Sequence, residues 1–316
     1  MELPMDALTP QDRREKQSAY VLMTAAYNEE AHIERTLQSV ISQTVRPERW
    51  VIVSDNSADR TDEIVESYAN RYDFIRFLRV SKTAGHSFHS KVVALHKGAS
   101  LLEGVAYDFI GNIDADLSVE PFYFEQLLNH FQQDPCLGLA AGFVYEDDGH
   151  GFSSHWSNSV NDVGHAAQLV RRECYEALDG YAVLKYGGED WYAQTCARMK
   201  GWRVEAIPDL KIFHHRHTGG GNHPLKNAFR LGKMDYSFGS DPIFEVIKCL
   251  RRFREKPYVI ASMIRLAGFA WPYIVGEARA VPEEFKTFLR GQQRSRVSTL
   301  VGADRWIVAK QRSKTA

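Results

Sequence analysis

Residues 107–117 of this 316-residue chain read YDFIGNIDADL, an apolar run that ends on two carboxylates. Tyr107 to Ile113 has the length and composition of a buried strand, and Asp114 and Asp116 follow it in a turn. Two carboxylates one residue apart at a strand end can hold a hard divalent cation through oxygen and leave room for substrate phosphates. The alternative interpretation is a solvated acidic turn, because short acidic motifs are common.

Three further apolar runs precede this strand and alternate with helical patterns. They are the predicted strands Tyr20 to Ala26 (YVLMTAA), Trp50 to Ser54 (WVIVS) and Phe74 to Val80. Such alternation predicts an α/β fold, with a Rossmann-like, mainly parallel sheet flanked by helices. Ligands of these sheets bind beyond the carboxyl ends of the strands. We therefore expect one crevice to be lined by the polar turns at Tyr27–Asn28, Asp55–Asn56 and Asp114–Asp116.

The rest of the chain continues the pattern and then changes character. After Pro121 we expect, in order, a helix to Phe131, a strand at 137–144, a helix at 166–178, a helix ending at Lys200 and a strand at 203–207. Beyond Asp241 the sequence is typical of basic amphipathic helices. The expected organisation is a mobile N-terminal arm at 1–17, a catalytic domain at 18–240 with halves 18–118 and 119–240, and a C-terminal helical extension at 241–316.

The composition is that of a folded globular protein, with 44% hydrophobic and 25% charged residues. The net charge of -1 hides an asymmetry, because residues 241–316 hold 15 Lys/Arg and 7 Asp/Glu. The basic C-terminal part suits a phosphate-rich or membrane surface. Cys136, Cys174, Cys196 and Cys249 lack metal or disulfide spacing, so we expect buried thiols in a reducing compartment. The polar N-terminus lacks a signal core, which argues against secretion.

Several single residues suit a nucleotide or a sugar. Asp55 can accept from a base or a ribose, or else form an Asx turn or helix cap together with Ser57 and Asp59. Lys91 near a helix start can face a diphosphate, or face solvent. Glu189 and Asp190 follow two glycines, so they can supply a general base or simply favour a helix N-terminus.

Two aromatic or imidazole features complete this set. Trp191 and Tyr27 offer flat faces for a sugar ring and a base, although aromatic residues at these positions more often pack in the core. Three histidines stand within four residues at His214, His215 and His217, and they offer a metal ligand or have structural roles.

Taken together and in this order, the motifs resemble the inverting family-two glycosyltransferases of the GT-A fold. The resemblance runs from Tyr20 to about Gly221, and it rests on AAYNEE (25–30), SDNSADRT (54–61), HSKVVALHKGA (89–99), NIDADL (112–117), LVRRECYEALDGY (169–181), GGEDW (187–191), KGWRV (200–204) and IPDLKIFHH (207–215). It departs at Ser54, where many members carry a second aspartate, and at His96, where the usual residue is asparagine. No QxxRW motif follows, which favours a non-processive enzyme.

The resemblance implies a role for each matched position. Donor nucleotide contacts fall on Ala26, Tyr27, Glu29, Asp55, Lys91 and Asp114. The implied catalytic base is Asp190, with Glu189 beside it, while Trp191 faces the acceptor and Arg216 the diphosphate. The implied ligands of a Mg²⁺ or Mn²⁺ cofactor are Asp116, Asp114 and His214.

The predicted activity is transfer of a sugar, with inversion, from a nucleotide-diphosphate donor to an acceptor hydroxyl, with a UDP-sugar favoured. The predicted acceptor is a lipid-linked saccharide in polysaccharide or glycolipid assembly, and no nucleic-acid partner is expected. Alternatives from other classes are a sugar-1-phosphate nucleotidyltransferase and a non-catalytic nucleotide-sugar-binding module. The sequence does not indicate the sugar, the linkage or the oligomeric state.

The C-terminal region predicts that the protein is cytoplasmic and binds peripherally to the inner face of the cytoplasmic membrane. Ile243, Val246 and Leu250 share one helical face, and Lys248 and Arg251 lie on the polar complement. The apolar stretch 257–276 follows, interrupted by Arg265 and Pro272. Three arrangements stay open: a shallow helical pair in the membrane interface, a full membrane span, or helices that pack against the catalytic domain or a second subunit.

Overall fold

A computed structural model describes residues 18–81, 90–147, 149, 151–155, 157–216, 224–254 and 258–301. The predicted arm at 1–17 and His217 lie outside the described residues. The chain divides into two compact units, the first comprising Met1–His86, Ser90–Tyr181 and Gly201–His217. The second comprises Ser87–His89, Ala182–Lys200 and Thr218–Ala316. This division differs from the expected boundary at Ser240, because the helix that follows the GGED motif belongs to the second unit.

The first unit is built on one sheet flanked by helices. Its strands are β1 (Tyr20–Ala26), β2 (Arg49–Asp55), β3 (Ile75–Val80), β4 (Phe109–Ile113), β5 (Leu117–Val119), β6 (Leu137–Asp147), β7 (Phe152–Ser154), β8 (Ala167–Arg171) and β9 (Arg203–His214). Its helices are α1 (Ile33–Ile41), α2 (Thr61–Ala69), α3 (Ser90–Ala99), α4 (Tyr123–Gln133) and α5 (Arg172–Ala177), with a 3₁₀ turn at Ser100–Leu102.

The strand order is β3-β2-β1-β4-β8-β6-β9-β5, and β7 pairs with β6. Strands β1 to β4 are parallel to one another, and β6 is parallel to β9. Strands β5, β7 and β8 pair antiparallel with their neighbours. The predicted α/β class is confirmed, and the parallel arrangement is continuous in the N-terminal half only.

One predicted helix is wrong. The stretch 166–178 begins as strand β8, and only its second part is helix α5. Strand β8 pairs with β4 on one edge and β6 on the other, and four of its five residues are buried. A strand covered on both faces loses the alternating pattern that would distinguish it from a buried helix.

The core of the first unit lies between the sheet and its helices. Tyr20, Trp50 and Phe124 are fully buried, and the rings of Tyr20 and Phe124 stack with centroids 5.0 Å apart. The Trp50 indole N–H donates to Thr24 Oγ1 at 3.0 Å, which satisfies the buried donor. Burying each such aromatic ring contributes roughly 1.5–3 kcal/mol. The strand ends that carry polar turns are therefore held on a rigid support.

The second unit is helical within the described residues. Its helices are α6 (Glu189–Met199), α7 (Pro224–Ser237), α8 (Pro242–Arg251), α9 (Tyr258–Val275) and α10 (Glu283–Val301), with a 3₁₀ turn at Arg252–Arg254. Helices α7 and α9 cross closely because both carry glycine at the crossing. A Cβ atom at Gly232 would overlap the carbonyl oxygen of Arg265, and one at Gly268 would overlap that of Phe229.

The four cysteines are free thiols. Cys174, Cys196 and Cys249 are buried, as expected, but Cys136 is exposed. The expectation of a buried thiol is therefore wrong at Cys136, which lies in the turn between α4 and β6.

Candidate active site

The turns after β1 and β2 interlock at one edge of the sheet. Ala26 and Ser54 are register partners, so the two parallel strands end side by side. Asn28 has a left-handed backbone, with φ of 54°; its Oδ1 accepts from the N–H of Ala58 at 2.8 Å, and its own N–H donates to Ser57 Oγ at 3.1 Å. Asparagine tolerates this conformation better than most residues. These contacts fix the backbone that presents Tyr27 and Glu29.

Asp59, rather than Asp55, stabilises the start of α2. Its carboxylate accepts from the backbone N–H of Thr61 at 3.0 Å and from that of Glu30 at 3.0 Å. Ser54 and Ser57 hydrogen-bond each other at 3.0 Å inside the turn. The half-buried Asp55 side chain makes no hydrogen bond or ion pair with any residue in the described ranges. Asp59 therefore fills the capping role that was the alternative for Asp55, and the Asp55 carboxylate stays available for a ligand.

Backbone contacts hold the turn Asp114-Ala115-Asp116, the DAD turn, in place. Thr36 on α1 donates its hydroxyl to the carbonyl oxygens of Ala115 at 2.9 Å and Leu117 at 2.6 Å. The N–H of Asp114 donates to the carbonyl of Ala166 at 2.9 Å. Thr36 is fully buried. The turn is thus preorganised, because its backbone groups are satisfied by a helix on one side and by the loop before β8 on the other.

His214 lies beside Asp116. Strand β5 follows the DAD turn, and Leu117 is the register partner of His214 on β9. His214 Nε2 is 3.2 Å from Asp116 Oδ2, and its Nδ1 is 3.5 Å from Glu146 Oε1. Sequence analysis missed Glu146, because an acidic residue at the end of a long strand has no motif of its own. The neighbouring His215 instead pairs with Ser118 Oγ at 2.8 Å.

This pairing shifts both titrating groups. Burial lowers the pKa of His214, but the hydrogen bond to Asp116 and the charges of Asp116 and Glu146 outweigh it, so the net shift is upward. Burial raises the pKa of Asp116, and the hydrogen bond and charge of His214, with the charge of Arg216, bring it below its ordinary value. Both shifts favour the charged pair.

Arg216 and Glu29 form a second pair at this edge. The Arg216 guanidinium donates to the Glu29 carboxylate, and its Nε is 3.3 Å from Asp116 Oδ2. Burial and the nearby charge of Asp116 raise the pKa of Glu29 to about 7, against the opposing effect of Arg216. Arg216, the residue predicted to bind the diphosphate, therefore pairs with the carboxylates of Glu29 and Asp116.

Lys91 is part of the site and does not extend into solvent. Its Nζ is 2.5 Å from Asp114 Oδ1 and donates to the carbonyl of His165 at 3.2 Å. Burial raises the pKa of Asp114, and the charge and hydrogen bond of Lys91 partly offset that rise. Helix α3 thus holds the positively charged ammonium group of Lys91 against the DAD turn.

The His165 ring is a second group that sequence analysis missed. It is buried against the edge of Tyr181, with ring centroids 4.3 Å apart, and neither ring nitrogen has a hydrogen-bond partner in the described part of the chain. Burial and the charge of Lys91 hold its pKa well below the ordinary value, so the ring is neutral. Nothing in the local sequence marks it, because a lone histidine after glycine has no diagnostic spacing.

The donor set fits a divalent cation. Asp116 Oδ2 and His214 Nε2 are separated by 3.2 Å, near the ~3 Å expected between adjacent ligands of an octahedral ion bound at 2.0–2.1 Å. Carboxylate and imidazole are ligands that Mg²⁺ and Mn²⁺ accept. No group of three or more His, Cys, Asp or Glu side chains within the described ranges is arranged to hold a metal ion. Two protein ligands suffice where substrate phosphates supply others.

In the second unit, the GGED motif opens helix α6. Gly187 and Gly188 have φ of 79° and 87°, and a side chain at Gly188 would clash with Met234. Asp190 Oδ1 accepts from the N–H of Trp191 at 2.6 Å. The Trp191 ring packs on Phe238 with centroids 5.0 Å apart. The glycines are required by this backbone, and the two acids also suit a helix N-terminus.

Comparison with known proteins identifies the family. The chain matches the profile of Glycosyl transferase family 2 over residues 22–181, about half its length. Poly-beta-1,6-N-acetyl-D-glucosamine synthase of Staphylococcus aureus is 31% identical over 123 residues, 38% of this chain and 27% of that protein. The enzyme of the same name in Staphylococcus epidermidis is 29% identical over 123 residues. The alignment thus spans about a quarter of the length of these relatives.

Solved structures share the fold. GalNAc-T7 with UDP, GalNAc and Mn²⁺ has a TM-score of 0.56 at 14% identity, covering 82% of this chain and 58% of that one. The mannosyltransferase PcManGT of Pyrobaculum calidifontis with GDP-Man and Mn²⁺ scores 0.51 at 17% identity, covering 91% and 87%. S. aureus TarS 1–349 with UDP-GlcNAc scores 0.50 at 14% identity, covering 86% and 78%. Identities this low show a common GT-A fold alone. The profile match carries the assignment, and the chain belongs to glycosyl transferase family 2 as a glycosyltransferase of the GT-A fold.

Proposed function

We propose that this enzyme transfers a sugar, with inversion and with a divalent metal ion, from a nucleoside-diphosphate donor to an acceptor hydroxyl. The observation that carries the proposal is the placement of His214 Nε2 at 3.2 Å from Asp116 Oδ2, at the sheet edge where Glu29, Arg216 and Lys91 also lie. A cluster with carboxylates, an imidazole and two cations suits a metal–diphosphate better than a neutral sugar.

We assign the metal to Asp116 and His214, with Asp114 acting through water. When bound, Mg²⁺ or Mn²⁺ neutralises charge that develops on the departing diphosphate. Lys91 and Arg216 would hold the same phosphates by charge-assisted hydrogen bonds. Both cations are paired with carboxylates in the structure, so donor binding would exchange Arg216 from Asp116 to phosphate.

We assign the nucleotide to the turns after β1 and β2. Asp55 is unpaired with respect to the described residues, and it would accept from the base or the ribose. Ala26 is buried at the strand end and Tyr27 is half-buried beside it, where a ring can stack on the base. A UDP-sugar is our favoured donor, and the neighbouring folds were solved with UDP, UDP-GlcNAc and GDP-Man.

We assign the general base to Asp190. In a single displacement, the acceptor oxygen bonds to the anomeric carbon while the bond from that carbon to the diphosphate oxygen breaks. The acceptor proton passes to the Asp190 carboxylate, and the nucleoside diphosphate leaves with the bonding electron pair. Positioned bases contribute about 10²–10⁴-fold. Glu189 adds negative charge beside the base, and Trp191 is proposed to contact the acceptor.

The proposed acceptor is a saccharide linked to a lipid, reached from the cytoplasmic surface of the membrane. Helix α9 carries an exposed apolar stripe that includes Ile260 at 59%, Met263 at 62% and Ile274 at 76% exposure. Their spacing places them on one face of the helix. Helix α8 adds exposed Ile243, Val246 and Leu250. None of the helices in the described part of the chain has the length and apolar character that a membrane crossing needs.

Arg265, the charge that interrupts the apolar stretch in sequence, does not lie on this stripe. It is buried, and its Nη2 forms an ion pair with Asp235 Oδ2 at 2.6 Å. The exposed face of α9 is therefore free of that charge, which favours shallow insertion in the membrane interface.

The test is a screen of nucleotide-sugar hydrolysis and transfer by the purified chain. Turnover of one donor with Mn²⁺ and its loss in chelator are expected, and a nuclear magnetic resonance spectrum of the first-formed product should show the inverted anomer. Full turnover in chelator would contradict the metal assignment. Retention of configuration would contradict the single displacement. Formation of a nucleotide-sugar from NTP and sugar phosphate would support the nucleotidyltransferase alternative instead.

A further inference from the structure

Glu146 lies near the end of β6, beside the imidazole of His214. Strands β6 and β9 are parallel, and Glu146 is the register partner of His214. Glu146 is buried, and its Oε1 is 3.5 Å from His214 Nδ1, whereas Asp116 Oδ2 is 3.2 Å from His214 Nε2. Two carboxylates therefore face the two nitrogens of one ring, and strand pairing sets the position of the ring between them.

The two carboxylates compete for the one proton of a neutral His214. A neutral imidazole has one N–H and one lone pair, and the hydrogen bond made by one nitrogen decides which tautomer is present. Asp116 favours the proton on Nε2, which removes the lone pair that the assigned metal site needs. Glu146 favours the proton on Nδ1, which leaves the Nε2 lone pair directed toward Asp116. Only the second tautomer suits a metal ion held by Asp116 and His214.

A second histidine faces the same Glu146 oxygen. His155 follows β7, and its backbone N–H donates to the carbonyl of Val144 at 2.9 Å, so the β6–β7 hairpin carries this residue back to β6. The His155 Nδ1 accepts from the N–H of Ser157 at 3.3 Å, which in the neutral ring leaves the proton on Nε2. That Nε2 is 3.7 Å from Glu146 Oε1. An N–H group directed at this oxygen favours the ionised carboxylate.

We propose that Glu146 is a positioning residue for His214, which keeps the imidazole proton on Nδ1 and leaves Nε2 free for a metal ion. The part that concerns the metal rests on the proposed function. Glu146 is not itself assigned as a ligand, because it faces the other ring nitrogen from Asp116. At 3.5 Å its contact with Nδ1 is that of an ion pair, longer than an ordinary hydrogen bond. The proposal therefore concerns the charge of Glu146 as well as its ability to accept a proton.

The first experiment determines the tautomer of His214 in the metal-free full chain. Nitrogen-15 nuclear magnetic resonance of histidine-labelled protein is recorded at alkaline pH, where the ring is neutral, and His214→Gln identifies the His214 signals among the 12 histidines. The share of the Nδ1–H tautomer should fall in Glu146→Leu, because Asp116 is then the only carboxylate of the two that remains. Glu146→Gln should give an intermediate share, since its amide oxygen accepts without the charge. Equal shares in the wild type and Glu146→Leu would overturn the proposal.

Asp147→Asn is the matched control. Asp147 is the next residue of β6, so its side chain points to the other face of the sheet, and its Oδ1 accepts from the N–H of Gly149 at 2.9 Å. The substitution removes one negative charge beside Glu146 and leaves the contact with His214 intact. Its tautomer share should match that of the wild type. A shift as large as that of Glu146→Leu would show that charge at the strand end sets the tautomer without the Glu146 contact, and the proposal would be wrong.

The second experiment measures Mg²⁺ binding by calorimetry with saturating UDP, at the same alkaline pH, so that release of the imidazole proton does not contribute. Mg²⁺ affinity should be about 10–100-fold weaker in Glu146→Leu, as for other lost partners of metal-binding histidines, and less reduced in Glu146→Gln. If the tautomer depends on Glu146 but the wild type binds no Mg²⁺ with UDP, the proposed metal site fails and the effect of Glu146 on His214 stands. If Mg²⁺ binding depends on Asp116 and neither measurement responds to Glu146→Leu, the metal site stands and the role of Glu146 is refuted.

Discussion

His214 Nε2 lies 3.2 Å from Asp116 Oδ2, although 98 residues separate them in the chain. The pairing depends on the short strand β5, which turns the chain back beside β9 directly after the DAD turn. The DAD carboxylate and the imidazole are thus parts of one sheet and have defined positions before any ligand arrives. Preorganisation of this kind is what a two-ligand metal site needs.

Asp116→Asn is expected to abolish transfer and the metal-dependent part of donor binding. The amide keeps the shape of the side chain but loses the charge that would face a cation and His214. Calorimetry of UDP with and without Mn²⁺ measures the effect, and circular dichroism checks the fold. Glu66→Gln on exposed α2 surface is the control. If Asp116→Asn bound UDP with the same dependence on Mn²⁺ as the wild type, the metal would be held by other residues.

The raised pKa of His214 predicts a pH dependence with a defined sign. A protonated imidazole cannot bind metal, so Mn²⁺ affinity should increase as pH rises through that pKa, above the ordinary 6.5. Without metal, the pair with Asp116 stabilises the fold fully between the ordinary pKa of an aspartate, 3.8, and that of a histidine, 6.5. It loses this contribution as pH rises through the folded-state pKa of His214, or falls through that of Asp116.

The measurement is the melting temperature of the metal-free protein against pH, for the wild type and His214→Gln. The difference between them should shrink as pH rises from about 5, where both partners are charged, through the folded-state pKa of His214. His96→Gln, at an exposed position on α3, serves as the control and should follow the wild type. A gap that widens with pH would contradict a stabilising charged pair.

Asp190→Asn should lower kcat by at least about a hundredfold, within the range for positioned general bases. Donor affinity should change little, since the assigned donor contacts are on other residues. Single-turnover rates with saturating donor give the comparison, and Glu189→Gln is the paired variant. A crippled Glu189→Gln with an unaffected Asp190→Asn would transfer the role of base to Glu189.

Sequence analysis predicted the polar strand ends, because local signals define them. The buried runs of β1, β2 and β4 each stop at a polar turn, and parallel strands must end at the same edge. The position of the Asp114 and Asp116 carboxylates at a strand end predicts a metal site, and the family resemblance adds His214 as a ligand. Their proximity could not be derived from spacing, since it depends on β5, a strand of three residues that no periodic pattern reveals.

Other features depend on tertiary contacts that one sequence does not display. Asp59 takes the capping role that Asp55 could have had, and only the hydrogen bonds distinguish the two. Arg265 reads as a charge within an apolar helix, but its partners come from α7 and α8. Strand β8 lacks alternation because both of its faces are buried. In each case, the decisive partner lies far away in sequence.

The exposed stripe on α9 predicts membrane binding that two introduced charges should weaken. Met263→Glu combined with Ile274→Glu should reduce flotation with anionic liposomes, because burying each new carboxylate in the interface is unfavourable. Phe122→Glu, an exposed apolar position in the first unit, is the control. These variants are sharper than removing residues after Ser240, since Phe285 on α10 packs on Tyr192, with ring centroids 4.7 Å apart. If the wild-type chain did not bind anionic liposomes at low salt, the membrane proposal would be wrong. The alternative, in which these C-terminal helices pack against protein, would then stand.

Arg265→Met is expected to destabilise the second unit by about 3–5 kcal/mol, the cost of breaking a buried ion pair. The substitution leaves Asp235 and Glu245 buried with Lys248 as their remaining cation. Burial and the charge of Asp235 already raise the pKa of Glu245, so loss of Arg265 should add to the cost of keeping both acids charged. Lys185→Met is the control, because its pair with Glu277 is exposed and should be worth at most about 1 kcal/mol. Urea unfolding followed by tryptophan fluorescence measures both, and adding Asp235→Asn to Arg265→Met should recover part of the loss. If Arg265→Met cost no more than Lys185→Met, the four charges would not be the electrostatic centre of this unit.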